Sequence, residues 1–300
     1  MSNASPTPGS GCSVLVTLDG VVHDPDRPLL FGDDLAAVRG DGVFETLLVR
    51  GGRACLVEPH LRRLAHSATM MDLPEPDPAA WREAIAIALR QWSSLSPEEG
   101  ALRLVYSRGR ESGSAPTAYL TISPLAARVG AARRDGVDAV MLERGLPADG
   151  AQEMPWLLAG AKTLSYAVNM AALRHAAARG ADDVIFVSSD GFILEGPRST
   201  VVIAVDGGAG RPCLLTPPPW WPILRGTTQQ ALFEVARNSG YDCDYQALRP
   251  ADLVAAQGIW LVSSITLGAR VHTLDGRALP SSPMRDEMAR LIEAAITGDR

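Results

Sequence analysis

The stretch "LAGAKTLSY", residues 158–166, sets one lysine, Lys162, among apolar and small residues. A lysine so placed either snorkels its ammonium to water or holds its proton loosely enough for the amine to attack a carbonyl. In "LRGTTQQALFEVARNSG", 224–240, a glycine with Thr227 and Thr228 stands just ahead of an amphipathic helix. Backbone N–H groups, hydroxyls and the positive end of the dipole would converge there, a setting for a phosphate or for plain capping. In "SSDGFILEGPRST", 188–200, the turn Ser189-Asp190-Gly191 carries Glu195 to a strand end, where an acid can hold a protonated ring nitrogen or simply face solvent. In "GDGVFETLLVRGG", 40–52, Phe44 and Thr46 share one strand face and Glu45 takes the other. The plainest expectation there is a solvated Glu45 and a half-buried Thr46. Arg62 and Arg63 in "EPHLRRLAHSA" and Arg108 and Arg110 in "YSRGRESG" are cations for anionic groups or ordinary surface charges.

The elements that must position these residues follow from periodicity and turn chemistry. "VLVTLDGVV" alternates around a DG turn, and "GVFETLLVRGGRACLV" reads as two β-branched runs joined by a GG turn. Helical patterns follow in "EPHLRRLAHSATMMDL" and in "PAAWREAIAIALRQW", which a proline opens. "ALRLVYSR" and "AYLTI" complete a first α+β unit, residues 14–125. A Pro, Gly and Arg mixture makes 126–136 an expected linker. Beyond it, in 137–300, strands are predicted at "DAVMLER", "DVIFVS", "FILE", "TVVIAV", "CLLT" and "GIWLVSS". Helices are predicted at 163–179, 227–239, 250–256 and 283–297. Leu164, Ala167, Val168, Ala171 and Ala172 predict a buried start for the first of these four.

Composition narrows the class. A chain of 300 residues with 46% apolar composition can bury a large core. Net charge −6 and the lack of a long basic run argue against nucleic acid. No apolar stretch reaches the roughly 18–20 residues that span a bilayer. The start "MSNASPTPGSGCS" has neither the basic nor the apolar segment of a signal peptide, so a cytoplasmic protein with a disordered segment at 1–13 is expected. Cys12, Cys55, Cys213 and Cys243 stand far apart without a CxxC, which speaks against a metal site and against a disulfide framework.

Taken in order, "RGDGVFET" (39–46), "HLRRL" (60–64), "KTLSYAVN" (162–169), "LEG" (194–196) and "RGTTQ" (225–229) resemble the class IV aminotransferase family, the fold-type IV pyridoxal phosphate enzymes. The resemblance implies an α+β fold of two domains, a small N-terminal α/β sandwich and a larger β-barrel-like domain with helices. It implies pyridoxal 5'-phosphate as cofactor and a homodimer that acts on a small molecule. Lys162 falls where the family's cofactor-linking lysine stands, and Glu195 where the acid facing the pyridine nitrogen stands. Arg63, Thr227, Thr228 and Ser264 of "LVSSIT" match phosphate-contacting positions, and Tyr166 a neighbour of the cofactor. Thr46 falls where the family's lyases carry a threonine thought to assist proton transfer and where its branched-chain transaminases typically carry glycine. The likeness therefore points to the lyase that forms 4-aminobenzoate and pyruvate from 4-amino-4-deoxychorismate in folate synthesis, with Arg108 and Arg110 for the two substrate carboxylates. A branched-chain or D-amino acid aminotransferase is the alternative. Ser165 and Thr200 depart from the family's usual asparagines.

Overall fold

The computed structural model describes residues 13–298 apart from 97, 114, 151–152 and 209–211. The expected disordered start, up to and including Cys12, lies outside the described residues. The chain divides into two compact units, Met1–Leu125 and Ala126–Arg300.

The first unit is built on the antiparallel pairing that the GG turn predicts. Gly51 and Gly52 both take positive φ, 57° and 75°, as a tight hairpin turn requires, and they join β3 (Gly42–Arg50) to β4 (Arg53–Ala54). The second arm stops after two residues because the chain turns into α2 (Val57–Met70). With β1 (Val14–Thr17), β2 (Val22–His23), β5 (Gly100–Ser107) and β6 (Thr117–Pro124), these strands form one six-stranded sheet ordered β2-β1-β6-β5-β3-β4. A short α1 (Leu35–Val38) precedes β3, and α3 (Pro78–Leu95) follows α2. The Asp77 carboxylate caps α3 by accepting the Ala79 N–H at 2.8 Å, with Pro78 in the first turn. Trp81, Ala84, Ile85, Ala88 and Trp92 of α3 recur at helical spacing and are buried in one core with Val43, Leu47 and Val49 of β3.

The second unit opens with a difference from expectation. Residues read as a linker form α4 (Ala127–Asp135), closed by Gly136 at φ 89°. Two arginines in the last turn suit the negative end of its dipole, and Val129 buries beneath it, so local helix chemistry outweighs the mixed composition. Then come β7 (Val137–Glu143), a 3-10 turn at Pro155–Leu157, α5 (Ala167–Ala178), β8 (Asp183–Val187), β9 (Thr200–Asp206) and β10 (Pro212–Thr216). They are followed by α6 (Thr227–Asn238), β11 (Asp242–Tyr245), α7 (Pro250–Ala255), β12 (Gly258–Ser263), β13 (Leu267–Leu274), β14 (Arg277–Ala278) and α8 (Arg285–Thr297). One mixed eight-stranded sheet runs β11-β10-β9-β12-β13-β7-β8, with β14 paired to β13. Val201, Val202, Ile203 and Ala204 of the central β9 are wholly buried, which accounts for that strand's unbroken apolar run.

Three further expectations change. "FILE" is not a regular strand: only Ile193 forms a bridge, to Val187, while Phe186, Ser188 and Leu194 exchange single backbone bonds along the run. Ile193 and Leu194 are both buried, so the segment does not alternate. Helix α5 begins at Ala167 rather than 163, and Val168 is 56% exposed. Its buried stripe is Ala172 and Ala176, one turn apart, rather than the first turn. Strands β11 and β13 carry polar residues at alternate positions, a weaker signal than the runs read as strands. Among the described residues no helix is long and apolar enough to cross a membrane, and no group of ligating side chains could hold a metal ion.

Trp81 is fully buried, and its ring meets Tyr106 edge to face at 6.5 Å between centroids. Trp81→Ala is expected to cost about 3–5 kcal/mol in urea unfolding followed by far-ultraviolet circular dichroism. Trp81→Phe should cost clearly less, because the indole N–H it deletes has no hydrogen-bond partner. Equal losses in the two variants would contradict this packing.

Candidate active site

Lys162 is the only lysine in the chain; the other 27 of the 28 basic residues are arginines. It lies half-buried in the segment that leads into α5. Its Nζ stands 5.9 Å from the centroid of the Tyr166 ring. The Tyr166 hydroxyl donates to the Pro197 carbonyl, which also accepts from Asn169 Nδ2 at 2.8 Å. Burial, opposed in part by the Asn169 hydrogen bond and helped by the nearby Glu195 carboxylate, pushes the phenol up to about 12. Tyr166 is therefore a neutral ring beside the amine. The Pro197 carbonyl fixes it to the loop that carries Glu195.

Glu195 is half-buried rather than solvated. Gly191, at φ 84°, makes the turn ahead of it, and the Glu195 carbonyl accepts the Phe186 N–H at 2.8 Å. Its Oε2 accepts the Leu224 N–H at 3.0 Å. That bond holds the acid against the last residue of "PPPWWPIL", 217–224. In the same stretch Trp221 buries against Phe192 at 5.2 Å and donates its indole N–H to Asp149 at 3.2 Å, while Trp220 stays exposed.

Two residues further on, the chain enters α6. Its N-cap position is Gly226, which supplies no side-chain cap, yet Thr227, Thr228 and Gln229 of the first turn are all buried. A Cβ at Gly226 would run into Thr200 Oγ1, so glycine is what lets the helix start approach β9. Thr228 Oγ1 donates to Ser264 Oγ at 3.3 Å, and Thr227 Oγ1 stands 3.4 Å from the same atom. Gln229 Nε2 is buried without a hydrogen-bond partner among the described residues. A buried helix start with clustered hydroxyls and no side-chain cap is a setting in which a phosphate can be received. The second unit thus gathers Lys162, Tyr166 and Glu195, and separately Thr227, Thr228 and Ser264, with the run from Leu224 to Gly226 joining the two groups.

In the first unit Phe44 and Thr46 are half-buried on one face of β3, as alternation predicts, but Glu45 is fully buried. The expectation of a solvated Glu45 fails because α2 covers its face with Arg63 and His60. Arg63 grips the carboxylate with Nε at 2.6 Å and Nη2 at 2.8 Å, and His60 Nδ1 stands 2.7 Å from Oε2. Burial alone would raise the Glu45 pKa, but the Arg63 charge and then His60 outweigh it and hold the carboxyl well below the usual range. Of the adjacent arginines, Arg62 is the exposed one.

Arg108 and Arg110 are engaged within their own unit. Arg108 Nε and Nη2 pair with Asp41 at 2.8 and 3.3 Å, and its Nη1 and Nη2 donate to the Asp72 and Met71 carbonyls at the end of α2. Arg110 pairs with Asp33 at 2.8 Å and lies over the Phe31 ring at 4.2 Å. Buried Asp34 closes the same region, accepting from the Ala36 N–H, Ser107 and Thr117. Sequence reading missed Arg103. It stands directly across the ladder from Thr46, exposed, 5.9 Å from the Phe44 ring, and has no ion-pair partner among the described residues. Its signal was strand alternation, which sets Arg103 of β5 on the face that carries Thr46.

The family described as "Amino-transferase class IV" matches residues 42–274. The chain is 70% identical over 289 residues to the bifunctional aminodeoxychorismate lyase / D-amino acid transaminase of Mycobacterium tuberculosis (strain ATCC 25618 / H37Rv), which covers 96% of this chain and 100% of that one. Among solved structures, the PLP-bound form of a hypothetical aminotransferase from Mycobacterium tuberculosis is 70% identical, with a TM-score of 0.93 over 96% of this chain and 100% of that one. A fold IV transaminase from Curtobacterium pusillum is 39% identical, with a TM-score of 0.87 over 94% and 97%. The chain belongs to the class IV aminotransferase family, and its fold is that of the fold-type IV enzymes.

Replacing Glu45 by Gln removes the carboxylate that Arg63 and His60 share, so Glu45→Gln is expected to destabilise the first unit by about 3–5 kcal/mol in urea. Glu45 stays ionised in the fold at acidities where it would be protonated in the unfolded chain. Its contribution is therefore complete above the ordinary value of 4.5 and is withdrawn as pH falls toward its lowered folded value. Stability of the unsubstituted protein should fall below that pH more steeply than that of Glu45→Gln. Parallel profiles would contradict the assignment.

Proposed function

We propose that the chain is a pyridoxal 5'-phosphate enzyme that converts 4-amino-4-deoxychorismate into 4-aminobenzoate and pyruvate, a step toward folate, in the cytoplasm. The observation that carries the reading is the sole lysine beside Tyr166 and Glu195, next to an uncapped, buried helix start with three clustered hydroxyls. The name of the 70% identical relative supports it.

In this reading Lys162 links the cofactor, Glu195 holds its ring nitrogen, and Thr227, Thr228 and Ser264 take its phosphate. Arg63 joins them on the strength of the "HLRRL" motif, with Glu45 fixing its orientation. When bound, the cofactor withdraws electrons from the carbon next to the substrate nitrogen and so stabilises negative charge there. Lys162 Nζ would serve as the base that removes a substrate proton and the acid that returns it. Tyr166, neutral at working pH, packs beside that amine without competing for the proton. The Thr46 hydroxyl assists proton transfer at the departing enolpyruvyl group. Arg103 is the available cation on the Thr46 face for a carboxylate, ahead of Arg108 and Arg110, whose aspartate partners would have to yield.

A second reading is favoured by the same relative's double name: transamination of D-amino acids on the same residues. The substrate is a small molecule in either case. We further propose two domains, 14–125 and 126–300, and assembly of two copies, which would cover exposed apolar side chains such as Phe31, Trp156 and Val168.

Purified, cofactor-loaded protein should release 4-aminobenzoate from 4-amino-4-deoxychorismate in a fluorescence assay; no release would remove the lyase reading. D-Alanine mixed with the enzyme without a keto acid should bleach the visible cofactor absorption if the second activity is present. Thr46→Ala is expected to lower lyase turnover by roughly 100-fold while leaving that bleaching in place. Equal loss of both would assign Thr46 a purely structural part.

A further inference from the structure

A cleft of about 320 Å³ in the second unit is lined by none of the residues assigned above, and its volume is within the range of small-molecule sites. Its floor is apolar, formed by Trp260 of β12, Gly268 of β13 and Ile292 of α8. Gly268 makes that floor possible, since a Cβ there would collide with Ile292 Cδ1. The walls are charged and unbalanced. Arg133 and Arg134 come from the last turn of α4, Arg270 from β13 and Arg285 from the first turn of α8, against only Asp135 and Asp286. Four cations against two anions leave the lining at +2 in a chain whose net charge is −6.

The arginines are held in place. Arg133 Nε donates to the Ile265 carbonyl at 3.2 Å, and Arg285 Nη2 donates to the Arg134 carbonyl at 2.7 Å, tying α8 to α4 across the rim. Gly136, at φ 89°, lets the end of α4 close over β13, where a Cβ would meet the Arg270 carbonyl. Arg270 is half-buried, and its side chain has neither a hydrogen bond nor an ion pair among the described residues. Burial, and next the positive charge of Arg285, depress its hold on its proton. Arg270 and Arg285 line the same cleft, where their like charges repel, and an anion with two charged groups would relieve both.

We infer that this cleft binds a small organic or inorganic polyanion, with phosphate or carboxylate groups engaged by Arg270 and Arg285 over the Trp260 floor. A planar guanidinium fork recognises either group, so the shared chemistry is two or more oxyanions within one small molecule.

The test is calorimetric titration of the cofactor-saturated enzyme, whose own phosphate site is then filled, with pyrophosphate and separately with citrate at matched ionic strength. Saturable binding of one probe is expected, and which one binds distinguishes a phosphorylated ligand from a polycarboxylate. Arg270→Gln should weaken that binding at least about tenfold, the loss of a charge-assisted bond. Arg290→Gln, an exposed arginine of α8 outside the cleft, should leave it unchanged. Circular dichroism of both variants should match the parent. No saturable heat from either probe, or equal weakening by the two substitutions, would overturn the inference.

Discussion

The hydrogen bond from the Leu224 N–H to Glu195 Oε2 ties the acid of the second unit to the stretch of chain that leads into α6. Glu195 arrives on an irregular segment with only isolated backbone bonds to β8, so its strand pairing alone does not fix it. A backbone donor meets the carboxylate, and that donor belongs to the residue three positions before the start of α6. Tyr166 is drawn to the same loop through the Pro197 carbonyl, and Lys162 lies beside the Tyr166 ring. Acid, amine and uncapped helix start are thereby set by one stretch of chain. A carboxylate that accepts a backbone N–H is a stronger partner than a neutral oxygen, which suits a bond asked to fix geometry.

The first unit depends on a comparable device of opposite character. Glu45 points into the core, where an ionised carboxylate is costly unless paired, and Arg63 and His60 on α2 supply the pairing. The consequence for function is orientation. Arg63 cannot wander, since two of its nitrogens are committed to the strand that also presents Thr46. Three aspartates, Asp33, Asp34 and Asp41, do the same for the loop after β5, and they take up Arg110 and Arg108 in doing so.

How much of this was legible in the sequence depends on how local each signal is. The GG hairpin, the Pro-started α3 and the Gly-Thr-Thr start of α6 depend on neighbouring residues alone, and they stand where local chemistry puts them. The roles proposed for the site residues rest on motif order, because a lone lysine or glutamate has too many uses to be assigned by itself. What failed was tertiary. Alternation shows that Glu45 and Thr46 face opposite ways but does not say which way the helices lie, so a buried charge was read as a solvated one. Arg103 escaped notice because its partner in space, Thr46, is far away in sequence and is met only through the β3 and β5 register. The linker that became α4, and the late start of α5, are cases where capping and packing against a sheet outweigh composition.

The central claim is that Lys162 carries the cofactor, and the chain's composition makes it unusually direct to test, since no other side chain offers an ε-amine. Cofactor-saturated protein reduced with borohydride and weighed intact should gain the mass of one pyridoxyl phosphate per chain, recovered on the peptide that contains position 162. An unchanged mass, or a label found only on the N-terminal amine, would contradict the account.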